Sequence, residues 1–397
     1  MAISRKMQDF SQKSSWIRKM FEEGARLKAN FGADNVCDFS LGNPDVPPPA
    51  EFYSVLADLA ADRTPGMHSY MPNAGYAEVR EAVAKRIAVE QGVNVRRDDV
   101  LMTCGAAGGL NVVFKSILDP GDEVILLAPF FVEYNFYVDN HGGIPVVVPT
   151  AADFNLDLVA IAKAITPRTK AIIINSPNNP TGRIYSRASL SGLAKLLREA
   201  GKRLGSTIFL VSDEPYRKIV YDGNIVPGVL EAYEESIVVS SYSKDLSLPG
   251  ERIGYIAVHP EITDREKLLS ALTLANRILG FVNAPAIMQR LVGRLADVRV
   301  DNRIYAVRRD LFCRILQDIG YDFIPPQGAF YLFPKSPIAD DALFVNFLLE
   351  NKILAVPGRG FGTPGYFRLA FCVDEKVIAR SAAGFQAAFA MASEEVK

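Results

Sequence analysis

Lys244 lies in the segment SYSKDLSLPGER, directly after a run of valine and serine residues that predicts a buried strand. A lysine amine can form a Schiff base with a carbonyl compound when desolvation or nearby positive charge lowers its pKa. Arg252, in the same segment, could supply that charge or bind a phosphate, and Ser241 and Ser243 place hydroxyl groups beside the lysine. The segment therefore suggests covalent amine chemistry, against the ordinary alternative of a solvated surface lysine.

Two more predicted strands end in polar residues. Asp213 opens the tetrapeptide DEPY, which contains Tyr216, and Asn175 opens SPNNPTG, which contains Asn179. Ligands of open α/β sheets bind beyond the carboxyl ends of the strands, so these side chains are expected to meet Lys244 at one sheet edge. A carboxylate there could keep a pyridine nitrogen protonated, as a pyridoxal ring requires, while Asn179 and Tyr216 bond its phenolic oxygen. Taken singly, each motif is equally typical of a turn or a helix cap.

The glycine-rich stretch CGAAGGL follows a predicted strand and opens a predicted helix. Backbone N–H groups at a helix N-terminus bind phosphate, so Gly105, Ala106 and Ala107 are candidates for a phosphate site. The stretch lacks the GxGxxG order of dinucleotide-binding folds, which makes a nicotinamide cofactor less favoured.

Short β-branched runs alternate with helical patterns through the middle of the chain. The predicted strands span residues 100–103, 123–127, 145–148, 171–175, 207–212, 237–240 and 253–258. Strands that are apolar on both faces indicate a mostly parallel sheet covered by helices, such as those predicted at 156–165 and 186–204. The predicted fold class is therefore α/β, with a three-layer αβα large domain built on a mostly parallel sheet.

The pattern changes after about residue 285, where a charged amphipathic segment begins and continues to residue 319. Its arginines are interpreted as a solvated helix face. The elements that follow predict a smaller α+β domain, and the first part of the chain is expected to pack with it. The predicted division is a large domain over residues 46–285 and a small domain formed by residues 1–45 and 286–397.

Composition excludes several function classes. The 397 residues include 44 lysines and arginines against 45 aspartates and glutamates, so there is no basic excess for nucleic acid or anionic membranes. The three histidines and four cysteines are scattered without metal-ligand spacing, which predicts no metal site. No apolar run is long enough to span a membrane and no secretory signal is visible, so a soluble, cytoplasmic protein with reduced thiols is expected.

Motifs spread over nearly the whole chain carry a resemblance to one family. They are SLGNPD (40–45), YMPNAGYAEVREAV (70–83), CGAAGGL (104–110), LDPGDEVILLAPFF (118–131), NSPNNPTG (175–182), SDEPY (212–216), SYSKDLSLPGERIGY (241–255), PPQGAFY (325–331) and YFRLAF (366–371). In this order they resemble the class I/II aminotransferases, which are pyridoxal-phosphate enzymes of fold type I in the aspartate aminotransferase superfamily.

The resemblance implies a role for each candidate catalytic residue. Lys244 is expected to hold pyridoxal 5′-phosphate as a Schiff base and to carry the proton between the substrate Cα and the cofactor. Asp213 is expected to pair with the pyridine nitrogen, and Tyr216 and Asn179 to contact the phenolic oxygen. Lys244, Asp213 and Tyr216 are thus the predicted catalytic residues.

The resemblance also implies the other ligand contacts. Further cofactor contacts are expected from Gly105, Ala106, Ala107, Phe131, Ser241, Ser243, Arg252 and Tyr70. Family members often have Ser, Thr or Lys where this chain has Ala106 and Ala107, which leaves phosphate binding to backbone amides and Arg252. Phe131 is expected to stack on the ring, and Tyr70 to reach the phosphate of a neighbouring subunit, which implies a homodimer with shared sites. The expected substrate contacts are Gly42, Asn179 and Arg368, whose guanidinium fork matches a carboxylate.

The implied reaction is transfer of an amino group between an L-amino acid and a 2-oxo acid by a ping-pong mechanism. Aspartate with 2-oxoglutarate is the family's commonest pairing, and Arg277 is a candidate cation for a distal carboxylate. Three alternatives stay open: an aromatic or alanine donor, β-elimination by a lyase on the same fold, and a non-catalytic regulator that binds the cofactor.

Overall fold

The computed structural model describes residues 3–12, 16–295 and 298–395. The helices are α1 (Arg5–Gln12), α2 (Trp16–Phe31), α3 (Ala50–Ala61), α4 (Ala77–Gln91), α5 (Gly105–Ile117), α6 (Glu133–Asp139), α7 (Leu158–Ala164), α8 (Arg187–Leu204), α9 (Val229–Ala232), α10 (Arg265–Ile278), α11 (Ala286–Arg294), α12 (Asn302–Ile319), α13 (Asp341–Glu350) and α14 (Glu375–Glu395). The strands are β1 (Cys37–Asp38), β2 (Val100–Thr103), β3 (Glu123–Ala128), β4 (Ile144–Pro149), β5 (Thr169–Asn175), β6 (Phe209–Asp213), β7 (Ser236–Ser241), β8 (Gly254–Val258), β9 (Tyr331–Leu332), β10 (Ile353–Leu354), β11 (Val356–Pro357) and β12 (Phe367–Ala370). In these described ranges, no helix combines the length and the apolar character needed to cross a membrane.

A seven-stranded sheet forms the centre of the larger part of the molecule, with strand order β2-β8-β7-β6-β5-β3-β4. Strands β4, β3, β5, β6 and β7 run parallel to one another, whereas β8 is antiparallel to both of its neighbours. The mostly parallel sheet of the predicted α/β fold class is therefore confirmed.

Helices cover both faces of this sheet. Successive side chains of a strand point to opposite faces, so Leu126 packs with Phe114 of α5 on one face while Leu127 packs with Leu193 of α8 on the other. Both faces are thus closed by apolar contacts, which explains why the strands are apolar throughout. The predicted three-layer arrangement is confirmed.

A second group of elements is built from the two ends of the chain. Strands β11, β12 and β9 form an antiparallel sheet, and β1 pairs in parallel with β10. Met20, Cys37 and Phe39 pack in the same apolar cluster as residues of α12, α13 and α14. Helix α11 instead packs with α3 and α4 beside the large sheet, through residues such as Leu291. The domain division at residues 45 and 285 stays a prediction.

Two arginines of the 286–319 segment correct the expectation of a solvated helix face. Arg308 and Arg309, both on α12, are only 7% and 5% exposed. Arg308 pairs with Asp45 at 2.7 Å and Arg309 with Asp222 at 2.5 Å. Guanidinium groups can be buried when they are paired and their stems pack on apolar surface. The partners lie far away in the sequence, so the helical pattern alone gave no sign of them.

The start of β8 offers a test of the packing that positions α5. A side chain at Gly254 would overlap the carbonyl oxygen of Ser240 and come within 2.8 Å of the Gly105 carbonyl carbon. Because both neighbours are backbone, we expect Gly254→Ala to cost about 1–3 kcal/mol, which for a chain of this length lowers the Tm by about 1–4 °C. In the control Gly250→Ala no atom lies within 4 Å of the added methyl group, and the Tm should not change. Equal Tm values for the two variants would contradict this packing.

Candidate active site

A cavity of about 300 Å³ opens at the carboxyl ends of β5, β6 and β7. The last residues of these strands, Asn175, Asp213 and Ser241, all line it, as expected for an open α/β sheet. The residues predicted for the site that line this cavity are Gly42, Ala106, Ala107, Phe131, Asn179, Asp213, Tyr216, Ser241, Ser243, Lys244, Arg252 and Arg368. The structure therefore brings together side chains from distant parts of the sequence.

Asp213 is buried at the end of β6 and keeps one oxygen without a partner. Its Oδ2 accepts a hydrogen bond of 2.6 Å from the hydroxyl of Tyr134, whereas Oδ1 has no hydrogen-bond partner among the described residues. Burial raises the pKa of Asp213 to about 7, and Glu214 contributes to the rise, whereas the bond from Tyr134 opposes it. A buried carboxylate with a free oxygen suits a cationic N–H donor, because such a donor would offset the cost of burial.

Asn175 joins this carboxylate to the neighbouring loop. Its Nδ2 donates to the backbone oxygen of Asp213 at 2.8 Å, and its Oδ1 accepts from the backbone N–H of Asn179 at 2.6 Å. The amide thus holds the end of β6 and the SPNNPTG loop in fixed positions, which directs Asn179 into the cavity.

Lys244 extends into the cavity from the loop after β7. Its Nζ donates to the backbone oxygen of Gly42 at 2.8 Å and lies 5.6 Å from the ring centroid of Phe330. Burial lowers the pKa of the Lys244 amine to about 8, and the positive charges of Arg368 and Arg252 lower it further. An amine with this pKa is partly unprotonated near neutral pH and can act as a nucleophile or a base.

The start of α5 and Arg252 line the cavity together and offer groups that can bind an anion. Gly105, the first residue of α5, has a φ of 72°, and a Cβ there would lie 2.7 Å from Nη2 of Arg252. Glycine therefore provides both the left-handed backbone and the room for the guanidinium group. Ala106 and Ala107 follow in the first turn, where backbone N–H groups have no partner inside a helix. This combination can hold a phosphate.

Arg368 is 2% exposed and also lines the cavity. Its Nη1 donates to Oδ1 of Asn179 at 3.1 Å, and its Nη2 donates to the backbone oxygen of Ser40. Burial lowers the pKa of Arg368. Its Nε has no hydrogen-bond partner, and no carboxylate of the described residues forms an ion pair with it. The guanidinium group is thus available for a carboxylate that enters from solvent.

Three tyrosines that line the cavity, Tyr134, Tyr137 and Tyr331, were missed by the sequence analysis. Tyr134 holds Asp213, and the hydroxyl of Tyr331 lies 2.8 Å from the hydroxyl of Tyr216. Tyr331 lies in the motif PPQGAFY, but nothing in that motif indicates a role for its hydroxyl group. Tyr134 lies in the aromatic run EYNFY on α6, where an aromatic residue is equally typical of a core position. Their roles depend on hydroxyl contacts between distant segments, which no local pattern displays.

Three candidates lie outside the residues that line the cavity. Gly105 packs against the guanidinium group of Arg252 and does not itself line the cavity. Tyr70 is 91% exposed. Arg277 is exposed in the last turn of α10, in a surface depression with Asn73 and Asp98. Contacts of Tyr70 or Arg277 with a ligand therefore stay predictions. In the described residues, no group of three or more His, Cys, Asp or Glu side chains is placed to hold a metal ion.

Comparison with known proteins identifies the family. Residues 34–385 match the family described as aminotransferase class I and II. The chain belongs to the class I and II aminotransferases. It is 35% identical over 356 residues to a probable aspartate/prephenate aminotransferase of Aquifex aeolicus, which covers 86% of this chain and 88% of that protein. It is also 35% identical over 352 residues to the aspartate/prephenate aminotransferase of Thermus thermophilus, covering 87% of this chain and 88% of that protein.

Solved structures of aminotransferases share the fold along nearly the full chain. An amino transferase from Eubacterium rectale has a TM-score of 0.95 and 38% identity, covering 98% of this chain and 99% of that one. The aspartate aminotransferase of Thermus thermophilus with maleate has a TM-score of 0.85 and 29% identity, covering 98% and 100%. The chain is therefore an enzyme, a transferase of amino groups with the type I fold.

The Lys244 amine gives this aminotransferase a testable pH dependence. In enzyme without cofactor, its pKa of about 8 predicts that unprotonated amine accumulates near pH 8, where an ordinary lysine is protonated. We expect acylation of Lys244 by an amine-directed reagent, followed by peptide mass spectrometry, to have its midpoint near that pH. Arg368→Gln should move the midpoint upward, because loss of a nearby positive charge favours the protonated amine.

A matched control is Arg303→Gln, which removes an arginine whose side chain is 90% exposed on α12. It should leave the midpoint unchanged. A wild-type midpoint at the value of an exposed lysine, about pH 10, would show that the amine is not perturbed.

Proposed function

We propose that this aminotransferase binds pyridoxal 5′-phosphate through Lys244 and transfers the amino group of L-aspartate to 2-oxoglutarate. The observation that carries the proposal is a set of charged groups, the buried Asp213 and Arg368 and the partly buried Lys244, that line one cavity without pairing to one another. Their chemistry suits three separate partners: a protonated ring nitrogen for Asp213, a carbonyl carbon for Lys244 and a substrate carboxylate for Arg368.

The residues of the cavity fit this cofactor at each of its polar groups. The free Oδ1 of Asp213 suits a protonated ring nitrogen, and the hydroxyl of Tyr216 suits the phenolic oxygen. The first turn of α5 with Arg252, Ser241 and Ser243 suits the phosphate, and the ring of Phe131 lines the cavity where it can stack. Our assignment of the cofactor rests on this fit.

When bound, the cofactor supplies an electron sink for negative charge at the substrate Cα. Asp213 keeps that sink effective, because its negative charge holds a proton on the ring nitrogen. Lys244 is the one lysine among the described residues that line the cavity. Its lowered pKa lets Nζ accept a proton from the substrate Cα and deliver it to a carbon of the cofactor. The same amine thus serves as covalent anchor and as proton carrier.

Arg368 orients the amino acid. Its guanidinium fork can bind the α-carboxylate through two parallel hydrogen bonds, and the bond from Nη1 to Asn179 fixes the plane of the group. A carboxylate fixed there places Cα of the substrate between Arg368 and Lys244. Because Arg368 and Lys244 are already held in place before the substrate binds, little further entropy is lost in aligning the reacting groups.

The substrate assignment to aspartate is supported by the relatives, two of which are named as aspartate/prephenate aminotransferases. The cations that line the cavity in the described part of the chain are Lys244, Arg252 and Arg368. Each already has a task, so a distal carboxylate would take its positive partner from elsewhere.

We therefore propose a homodimer with shared active sites, in which the exposed Tyr70 reaches the phosphate bound by the other subunit. Arg277 is the candidate for the distal carboxylate.

The lining of the cavity favours a second candidate, an aromatic amino donor. Phe131, Tyr137 and Tyr331 contribute rings to the cavity, and aromatic faces pack well on an aromatic substrate. Alanine, a β-elimination reaction and a cofactor-binding regulator are distinguished by the experiments below.

We propose a cytoplasmic location, since all four cysteines are free thiols.

Replacement of Lys244 tests the cofactor assignment. The purified enzyme should have a visible absorbance band from cofactor bound to the lysine, and Lys244→Ala should lose both this band and amino transfer. The control Lys267→Ala removes an exposed lysine, 82% accessible at its side chain, and should keep both properties. A wild-type enzyme that never acquires the band would refute the assignment. A band without any turnover would indicate a regulator.

A panel of amino donors tests the substrate assignment. With 2-oxoglutarate as acceptor, kcat/KM for L-aspartate should exceed that for L-alanine by about 100-fold, the range expected from one well-placed charged contact. Arg277→Ala should reduce this ratio by lowering the value for aspartate alone. Higher kcat/KM for L-phenylalanine or L-tyrosine would favour the aromatic alternative, and pyruvate with ammonia in the absence of an oxo-acid acceptor would favour a lyase.

A further inference from the structure

Tyr331 contacts both ends of the candidate active site. It is 2% exposed, lies on β9, and lines the cavity. It touches Arg368 and Gly42 on the side of the substrate carboxylate and Tyr216 on the side of the cofactor. No other tyrosine among the described residues has a hydroxyl or ring contact with both Tyr216 and Arg368.

The sheet geometry places Tyr331 under Arg368. Tyr331 pairs with Ala370 of β12, and Arg368 lies two residues from Ala370 on the same face of that strand. Diagonal neighbours across an antiparallel pair are close enough for long side chains to touch, and the guanidinium carbon of Arg368 lies 4.8 Å from the ring centroid. The small side chain of Ala370 leaves the ring free to take this position.

Gly42 is shaped to accept the hydroxyl end of the same ring. A Cβ at Gly42 would overlap the Tyr331 hydroxyl oxygen and come within 2.7 Å of the adjacent ring carbon. The backbone oxygen of Gly42 also accepts the hydrogen bond from Lys244 at 2.8 Å. Glycine at this position therefore leaves room for the Tyr331 hydroxyl while its own backbone oxygen bonds Lys244.

The hydroxyl of Tyr331 lies 2.8 Å from that of Tyr216, and the two rings meet edge to face with centroids 5.6 Å apart. Burial raises the pKa of Tyr331 to about 12, so its hydroxyl keeps its proton. If Tyr216 donates its proton to the phenolic oxygen of the cofactor, its own oxygen is left to accept from Tyr331. Hydrogen bonds in such a chain polarise and strengthen one another.

We propose that Tyr331 is a positioning residue with two separable functions: its hydroxyl strengthens the hydrogen bond that Tyr216 donates to the cofactor, and its ring holds the guanidinium fork of Arg368 in place. This inference rests on the proposed function. A stronger bond at the phenolic oxygen withdraws electron density from the nitrogen by which Lys244 holds the cofactor. That nitrogen is then less basic, and its proton is lost at lower pH.

The hydroxyl function is tested by titrating the visible band of the holoenzyme. Tyr331→Phe removes the hydroxyl alone and should raise the pH midpoint of the spectral change by about half a unit, as expected from a weakened neutral hydrogen bond. Tyr216→Phe should raise it further, and the double variant should equal Tyr216→Phe. The control Tyr321→Phe removes a buried hydroxyl bonded to the Phe385 carbonyl, away from the cavity, and should leave the midpoint unchanged.

The ring function is tested with L-2-methylaspartate, which binds like a substrate but has no proton to lose at Cα. Tyr331→Phe keeps the ring and should leave the Kd within about twofold of wild type, whereas Tyr331→Leu should raise it about tenfold, in line with the loss of a buried cation–π contact. Thermal unfolding of each variant checks that the fold is retained. Tyr331→Phe keeps the shape of the core, so the spectral test holds even if Tyr331→Leu does not fold.

The outcomes separate the two levels of the proposal. Absence of the band from wild type would overturn the cofactor assignment itself. A band whose midpoint moves in Tyr216→Phe but not in Tyr331→Phe would overturn the hydroxyl function alone. Additive shifts in the double variant would show that Tyr331 acts independently of Tyr216. Equal affinities of the phenylalanine and leucine variants for L-2-methylaspartate would overturn the ring function.

Discussion

The candidate active site depends on keeping charged groups out of water without letting them neutralise one another. Asp213 and Arg368 are buried and Lys244 is partly buried, and none of the three forms an ion pair within the described residues. Such burial costs free energy that the rest of the fold must supply. The raised pKa of Asp213 means that the folded protein holds this proton more tightly than the unfolded chain, so its ionisation opposes folding unless a cation lies against it. The binding of a ligand with complementary charges relieves this cost.

Neutral groups make this arrangement possible. A tyrosine hydroxyl holds Asp213, and backbone oxygens of Gly42 and Ser40 hold Lys244 and Arg368. These contacts fix geometry while leaving each charge largely intact. The residue after Asp213 in the sequence, Glu214, does form an ion pair. Its carboxylate lies 3.0 Å from an arginine and accepts a hydrogen bond from Gln91. The charged group of Glu214 is thus paired, whereas the unpaired charged groups line the cavity.

The sequence predicted much of this molecule because the relevant signals are local. Continuous β-branched runs identified the buried parallel strands, and the polar residues at their ends, such as Asp213, identified the edge of the sheet at which the cavity opens. The roles of Tyr134 and Tyr331 could not be predicted, since each depends on a hydroxyl contact with a segment distant in the chain. The burial of Arg308 was hidden for the same reason. Periodicity shows which face of a helix is apolar, but it does not show which distant carboxylate will meet a charged residue on that helix.

The part of the cavity proposed for the substrate joins Ser40 and Gly42 to Arg368, which lies 328 residues after Ser40. The part proposed for the cofactor is lined by residues between 106 and 252. During synthesis, domains fold as they emerge, so the large sheet can form while the binding partner of residues 40–42 has not yet been translated. On the proposed assignments, the nascent protein would acquire the residues that hold the cofactor before those that select an amino acid, and only a chain translated beyond Arg368 has both.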